Sequence, residues 1–93
     1  MTEQIKREVG QIYAHNYGYS ICAYEFFQIV RMSKSSMWLQ ELGKKWVSGD
    51  GQQGMVVCNM QPVPDAEIKV VRLNKYIGSL YTPGEELYED HCD

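Results

Sequence analysis

The chain has 93 residues, nine Lys+Arg and twelve Asp+Glu, for a net charge of −3. That length holds one domain and excludes multi-domain enzymes, α/β barrels and a full Rossmann domain. At 44% hydrophobic and 12% aromatic residues, the chain can pack a core and is not of disordered composition.

In chain order, residues 1–8 read as a frayed end or a short helical turn. Val9 to His15 forms an opening strand with apolar Val9, Ile12 and Tyr13. Asn16-Tyr17-Gly18-Tyr19-Ser20 is turn-rich. Ile21 to Met32 is β-branched and aromatic, and it is expected to be the longest strand. On it Phe26 and Val30 share one face, and Phe27 and Ile29 share the other, so at least one phenylalanine must fill a core. Ser33-Lys34-Ser35-Ser36 makes a tight connection.

Residues 37–47 carry two patterns. Trp38, Leu42 and Trp46 recur at helical spacing behind a possible Ser36 cap, whereas Met37, Leu39 and Glu41 alternate as in a strand. Gly43 weakens a helix and suits a bulge, and the short serine loop favours a hairpin, so the segment is assigned to strand. Ser48 to Gly54 holds three glycines in seven residues and reads as a loop. Met55 to Met60 is a short strand ended by Pro62 and Pro64. Ala66 to Asn74 alternates, and Tyr76 to Tyr81 is short and apolar. Thr82-Pro83-Gly84-Glu85 is a turn, after which Leu87 and Tyr88 can return as a last strand. The expected fold is all-β in one domain, a small barrel-like, strongly bent antiparallel sheet of five to seven short strands.

Charge is unevenly placed. Residues 1–84 hold nine bases and seven acids, a net +2. Residues 85–93 hold Glu85, Glu86, Glu89, Asp90 and Asp93 and read as an acidic tail, solvated in the usual case, or docking on a basic groove of a partner, or capping basic strand residues of its own body. A body at +2 lacks the overall basic character of most nucleic-acid binders. No stretch approaches the length of a membrane span, and the first residues lack a signal-peptide core. Cys22, Cys58 and Cys92 are odd in number and widely spaced, as free thiols in a reducing compartment are. A cytoplasmic protein without membrane association is expected.

Gly10-Gln11-Ile12-Tyr13, Tyr17-Gly18-Tyr19, Tyr24-Glu25-Phe26-Phe27-Gln28-Ile29-Val30-Arg31 and Leu39-Gln40-Glu41-Leu42 together resemble a family of small proteins encoded by bacteriophages and other mobile elements of bacteria. The Gly-rich turn from Gly49 to Gly54, Arg72-Leu73-Asn74-Lys75-Tyr76 and Tyr88 continue the pattern. Tyr17 stands where the family pattern has Trp, and Ser20 where it has Asp. The resemblance implies a phage-type inhibitor of host defence, such as an anti-CRISPR protein, acting in the host cytoplasm.

Several residue groups carry candidate chemistry. His15, Cys22, Cys58, His91 and Cys92 are the soft metal ligands, but they do not form the close pairs of a zinc site. His15 with Cys22 resembles a base and a nucleophile, without a third orienting group, while Cys22 also suits core packing. Gly49 to Gly54 lacks the Lys-Ser/Thr ending of a phosphate loop. Tyr13, Tyr17, Tyr19, Tyr24, Phe26 and Phe27, with Lys34, Lys44, Lys45, Lys69, Arg72 and Lys75, are a candidate surface for single-stranded nucleic acid. The favoured reading is a non-catalytic protein, without cofactor or metal, that binds and occludes a host protein. Its expected contacts are Tyr17, Gly18, Tyr19, Asp50, Gln52, Gln53, Glu85, Glu86, Glu89 and Asp90. The alternative is a small barrel for single-stranded nucleic acid, and behind it a small enzyme or zinc protein.

Overall fold

The computed structural model describes residues 6–18, 22–50 and 52–91. These residues contain seven strands and no helix. The strands are β1 (Ile12–Asn16), β2 (Tyr24–Met32), β3 (Ser36–Gly49), β4 (Gln53–Pro62), β5 (Lys69–Arg72), β6 (Ser79–Tyr81) and β7 (Leu87–Asp90). All pair antiparallel in the order β6-β1-β2-β3-β4-β7, with β5 beside β3.

Curvature comes from bulges. Register shifts fall between Ile29 and Arg31 of β2–β3, and between Leu42 and Lys44 and between Trp46 and Ser48 of β3–β4. An extra residue on one strand bends it and raises its twist. The bend brings β7 back to the beginning of β2. There Asp90 and Cys22 exchange both backbone hydrogen bonds, each 2.9 Å. The path β2-β3-β4-β7 thus returns to its own start, and the sheet is a strongly curled half-barrel.

Two apolar layers follow from the alternation. Ile12, Ala14, Phe26, Leu42, Cys58 and Tyr81 fill the concave side, where the Phe26 and Tyr81 rings meet edge-on at 4.8 Å. Tyr13, Phe27, Ile29, Met37, Leu39 and Ile77 form a second cluster on the other side of the sheet. Both phenylalanines are therefore core residues, each about one hydrophobic side chain's worth of burial, roughly 1.5–3 kcal/mol.

The structure corrects several expectations. Residues 37–47 are strand, but this strand, at 14 residues, and not residues 21–32, is the longest; β2 has nine. β3 is long because β2 and β5 flank its first half and β4 pairs its second. Val30 does not share the buried environment of Phe26: the bulge turns it outward to 39% exposure. The expected Ala66 to Asn74 strand shortens to β5, and Tyr76 to Tyr81 to β6. Of the expected acidic tail at residues 85–93, Leu87–Asp90 form β7, paired along its length with β4, and residues 92 and 93 lie outside the described residues.

Candidate functional site

Three segments singled out in the sequence meet at one end of the half-barrel. The β3–β4 turn is closed by Asp50, whose carboxylate accepts the amides of Gln52 (2.9 Å) and Gln53 (3.0 Å). The Gln53 and Gln52 amides hold that carboxyl below the usual range. Gln53 pairs with Asp90, and the His91 amide donates to the Gln52 carbonyl at 2.6 Å. Asp90 in turn bridges to Cys22, and Ala23 accepts the Tyr17 amide at 3.0 Å. Asn16 caps the loop by accepting the Gly18 amide. Tyr17, Gly18, Asp50, Gln52, Gln53 and Asp90 thus lie at one end. Tyr19 and Cys92 fall outside the described residues.

Beneath this end lies a buried ionic network. Leu87 and Glu89 share the inward face of β7, so Glu89 enters the barrel and is fully buried. Its Oε2 accepts Lys44 Nζ (2.6 Å) and the Tyr24 amide (2.9 Å), and its Oε1 accepts His91 Nε2 (2.7 Å). Lys44 also donates to the Tyr24 carbonyl at 3.3 Å. Burial pushes the Glu89 carboxyl up, but Lys44, His91 and the Tyr24 amide outweigh it and hold it below its usual range. The network does a ladder's work. The last β2–β3 pair on this side is Phe26 with Leu42, and Tyr24 lies past it. Glu89 and Lys44 satisfy the Tyr24 amide and carbonyl that the parted strands leave.

Where β2 and β3 part, a cleft of about 300 Å³ opens, lined by Tyr17, Tyr24, Glu25, Phe26, Glu41, Leu42, Gly43, Lys44 and Val63. Tyr17 is 52% exposed, and its ring centroid lies 5.9 Å from Lys44 Nζ, within cation–π range. Asn59 packs against Gly43, where a side chain would meet its amide at 2.8 Å. Burial, then the Cys22 thiol, push the Tyr24 phenol up. The Trp46 and His91 rings, 6.0 Å apart, extend the aromatic surround.

Other expected site residues sit elsewhere. Glu89 is not a surface contact, because its burial and three partners make it part of the interior. Glu85 and Glu86 precede β7 at its far end, where Glu85 closes the Thr82 turn and accepts the Tyr81 hydroxyl at 2.6 Å. His15 and Cys22 have separate partners: His15 Nδ1 meets Glu25 Oε1 at 3.0 Å, and the Cys22 thiol donates to the Tyr88 carbonyl at 3.4 Å. Cys22 and Cys58 are free thiols, and burial pushes that of Cys58 up. Among the described residues no three His, Cys, Asp or Glu side chains gather as metal ligands.

Sequence reasoning missed the Lys44–Glu89 pair and the cleft. The inward alternation of Leu87 and Glu89 was available as a signal, but Lys44 lies 45 residues away and only the closure unites them. Comparison with protein-family models, with curated proteins and with solved structures returns no match for this chain.

Proposed function

We propose that this chain is a non-catalytic binding protein that engages a protein partner with the Tyr17 end of the half-barrel. The observation that carries the reading is the convergence of the 17–18 loop, the β3–β4 turn and the end of β7 beside an open cleft. Glu89 and Lys44, beneath it, are already joined to one another. They brace the end, and the exposed Tyr17 ring is left to make contact. Tyrosine suits that role, with large contact area and only two side-chain torsions to freeze. The phage-type resemblance of the sequence extends the proposal: the partner is a host component, such as part of a defence system, inhibited by occlusion in the host cytoplasm. Among the described residues no helix is long and apolar enough to cross a membrane.

The test is a binding titration on partner captured from host extract, run beside melting curves. Tyr17→Ala is expected to weaken binding by more than ~1 kcal/mol with the fold intact, as hot-spot truncations do. Normal binding by Tyr17→Ala would place the interface elsewhere.

A further inference from the structure

The opposite end of the molecule has a different chemistry. β3 is 14 residues long, so its two ends lie on opposite sides of a molecule whose longest dimension is 43 Å. At the end away from Tyr17, the β2–β3 turn, β5 and the turn after β5 lie together. The Leu73 amide donates to the Ser35 carbonyl (2.9 Å), and the Lys75 amide to the Arg72 carbonyl (3.0 Å). This end holds Arg31, Lys34, Lys69, Arg72 and Lys75, all exposed, which is five of the nine Lys and Arg residues of the chain, although Lys69 pairs with Leu39 on the opposite face from Trp38, its ammonium 5.1 Å from the Phe27 ring centroid. None of the five makes an ion pair with a described residue. Asp65 and Glu67, on the lead-in to β5, are the nearby acids in sequence. The net charge of −3 hides a basic pole.

The pole has a platform. Arg31, Trp38 and Val70 are cross-strand neighbours in one row over β2, β3 and β5, and Arg72 pairs with Ser36 one step along the same face. Trp38 therefore lies between two arginines, with about 5 Å per strand spacing. The Arg31 guanidinium covers its ring at 4.5 Å from the centroid. Val70 and Ile68, 57% and 50% exposed, continue an apolar strip along β5. Adjacent phosphates are matched by the planar forks of Arg31 and Arg72 and by the ammonium groups of Lys34 and Lys75. Unpaired bases are matched by a flat indole beside aliphatic side chains. An acidic protein surface would use the cations but not the indole between them.

We propose that the Arg31–Trp38–Arg72 face binds single-stranded nucleic acid, its phosphates on the four flanking cations and a base stacked on Trp38. Base stacking displaces Arg31 from the ring and frees its guanidinium for phosphate. The surface is separate from the Tyr17 end, so a ligand here stands or falls independently of the protein partner proposed there.

The experiment is fluorescence anisotropy with labelled twelve-nucleotide oligo-dT and oligo-U on the full chain. Four phosphate contacts give a log–log salt slope of roughly −3, so affinity is expected to fall roughly 50-fold between about 50 and about 200 mM salt. The double variant Arg31→Gln/Arg72→Gln is expected to lose at least roughly 10-fold in affinity and to flatten the slope by about 1.4. Trp38→Leu is expected to lose roughly 5- to 100-fold, in line with one stacked base. Lys45, grouped with these cations by the sequence alone, pairs with Val57 on the other half of β3 and lies outside the face, so Lys45→Gln removes one charge and leaves binding unchanged. Melting curves of each variant separate lost binding from lost fold. The proposal is overturned if neither oligonucleotide binds, if the arginine and Trp38 variants bind as the parent does, or if Lys45→Gln costs as much as they do. It is also overturned if a polyglutamate peptide competes as well as oligo-dT, which would assign the face to an acidic protein.

Discussion

Replacing Glu89 by Ala removes the carboxylate that ties β7 to β2 and β3. Three hydrogen bonds go at once, from Lys44, His91 and the Tyr24 amide. Removing one partner of a buried ion pair costs about 3–5 kcal/mol, because the other charge is left uncompensated. Lys44 retains 28% exposure and can swing its ammonium toward water, which lowers the cost. The half-buried Tyr24 amide is fixed in β2, and its orphaning adds up to about 1–3 kcal/mol. A net loss of about 4 kcal/mol is expected, a fall in Tm of about 20 °C for a domain of this size. Glu89→Gln keeps an acceptor for the Tyr24 amide and for Lys44, so it should lose only about 2 kcal/mol. The pair also fixes a pH dependence. The Glu89 carboxyl is held below its usual range in the folded state. Its stabilisation is therefore fully present above the unfolded value of about 4.3, and it is lost as pH falls through the lower folded value. The gap in Tm between the parent and Glu89→Gln should narrow as pH drops below about 4. Thermal melts followed by circular dichroism between about pH 3 and pH 7 read both effects. A Glu89→Ala protein melting within a few degrees of the parent, or a gap that widens in acid, refutes the network as the barrel's closure.

Further expectations concern the two layers and the thiols. Phe26→Ala and Phe27→Ala should each cost about 3–5 kcal/mol in chemical denaturation, because both rings are buried on opposite faces. Tyr81→Phe should cost about 1–3 kcal/mol, since the hydroxyl accepts the Cys58 amide at 3.0 Å and donates to the Glu85 carbonyl, and phenylalanine orphans both. With iodoacetamide, the half-buried Cys22 should react in the native protein, whereas Cys58, buried and with its thiol pushed up, should react only on unfolding, as peptide mass spectrometry can show.

The strands were legible in the sequence because local pattern and global fold agree. Tyr24–Met32 is apolar on two faces since two layers cover it, and the Asp50 and Thr82 turns lie where glycine and proline place them. The Tyr17 loop, the glycine-rich turn and the chain end were all marked as surface, and the structure brings them together. What stayed illegible depends on closure. Trp38, Leu42 and Trp46 share a helical spacing, yet all lie on β3, because pairing with three neighbours overrides the spacing. A glutamate among five terminal acids reads as solvated, and only the return of β7 to β2 turns Glu89 inward onto Lys44. The cations of the far pole are spread over residues 31–75, and their clustering follows from β5 lying beside β3 rather than β4.

Site-specific photo-crosslinking tests the proposed function most directly. A photoreactive phenylalanine analogue in place of Tyr17, and the same group in place of the exposed Leu80 on the edge strand β6, are exposed to extract of a bacterial host. Capture of one discrete protein from position 17, competed by unmodified chain and missing from position 80, is the expected result. Equal capture from both positions, or no protein captured from position 17, contradicts a protein-binding surface at the Tyr17 end.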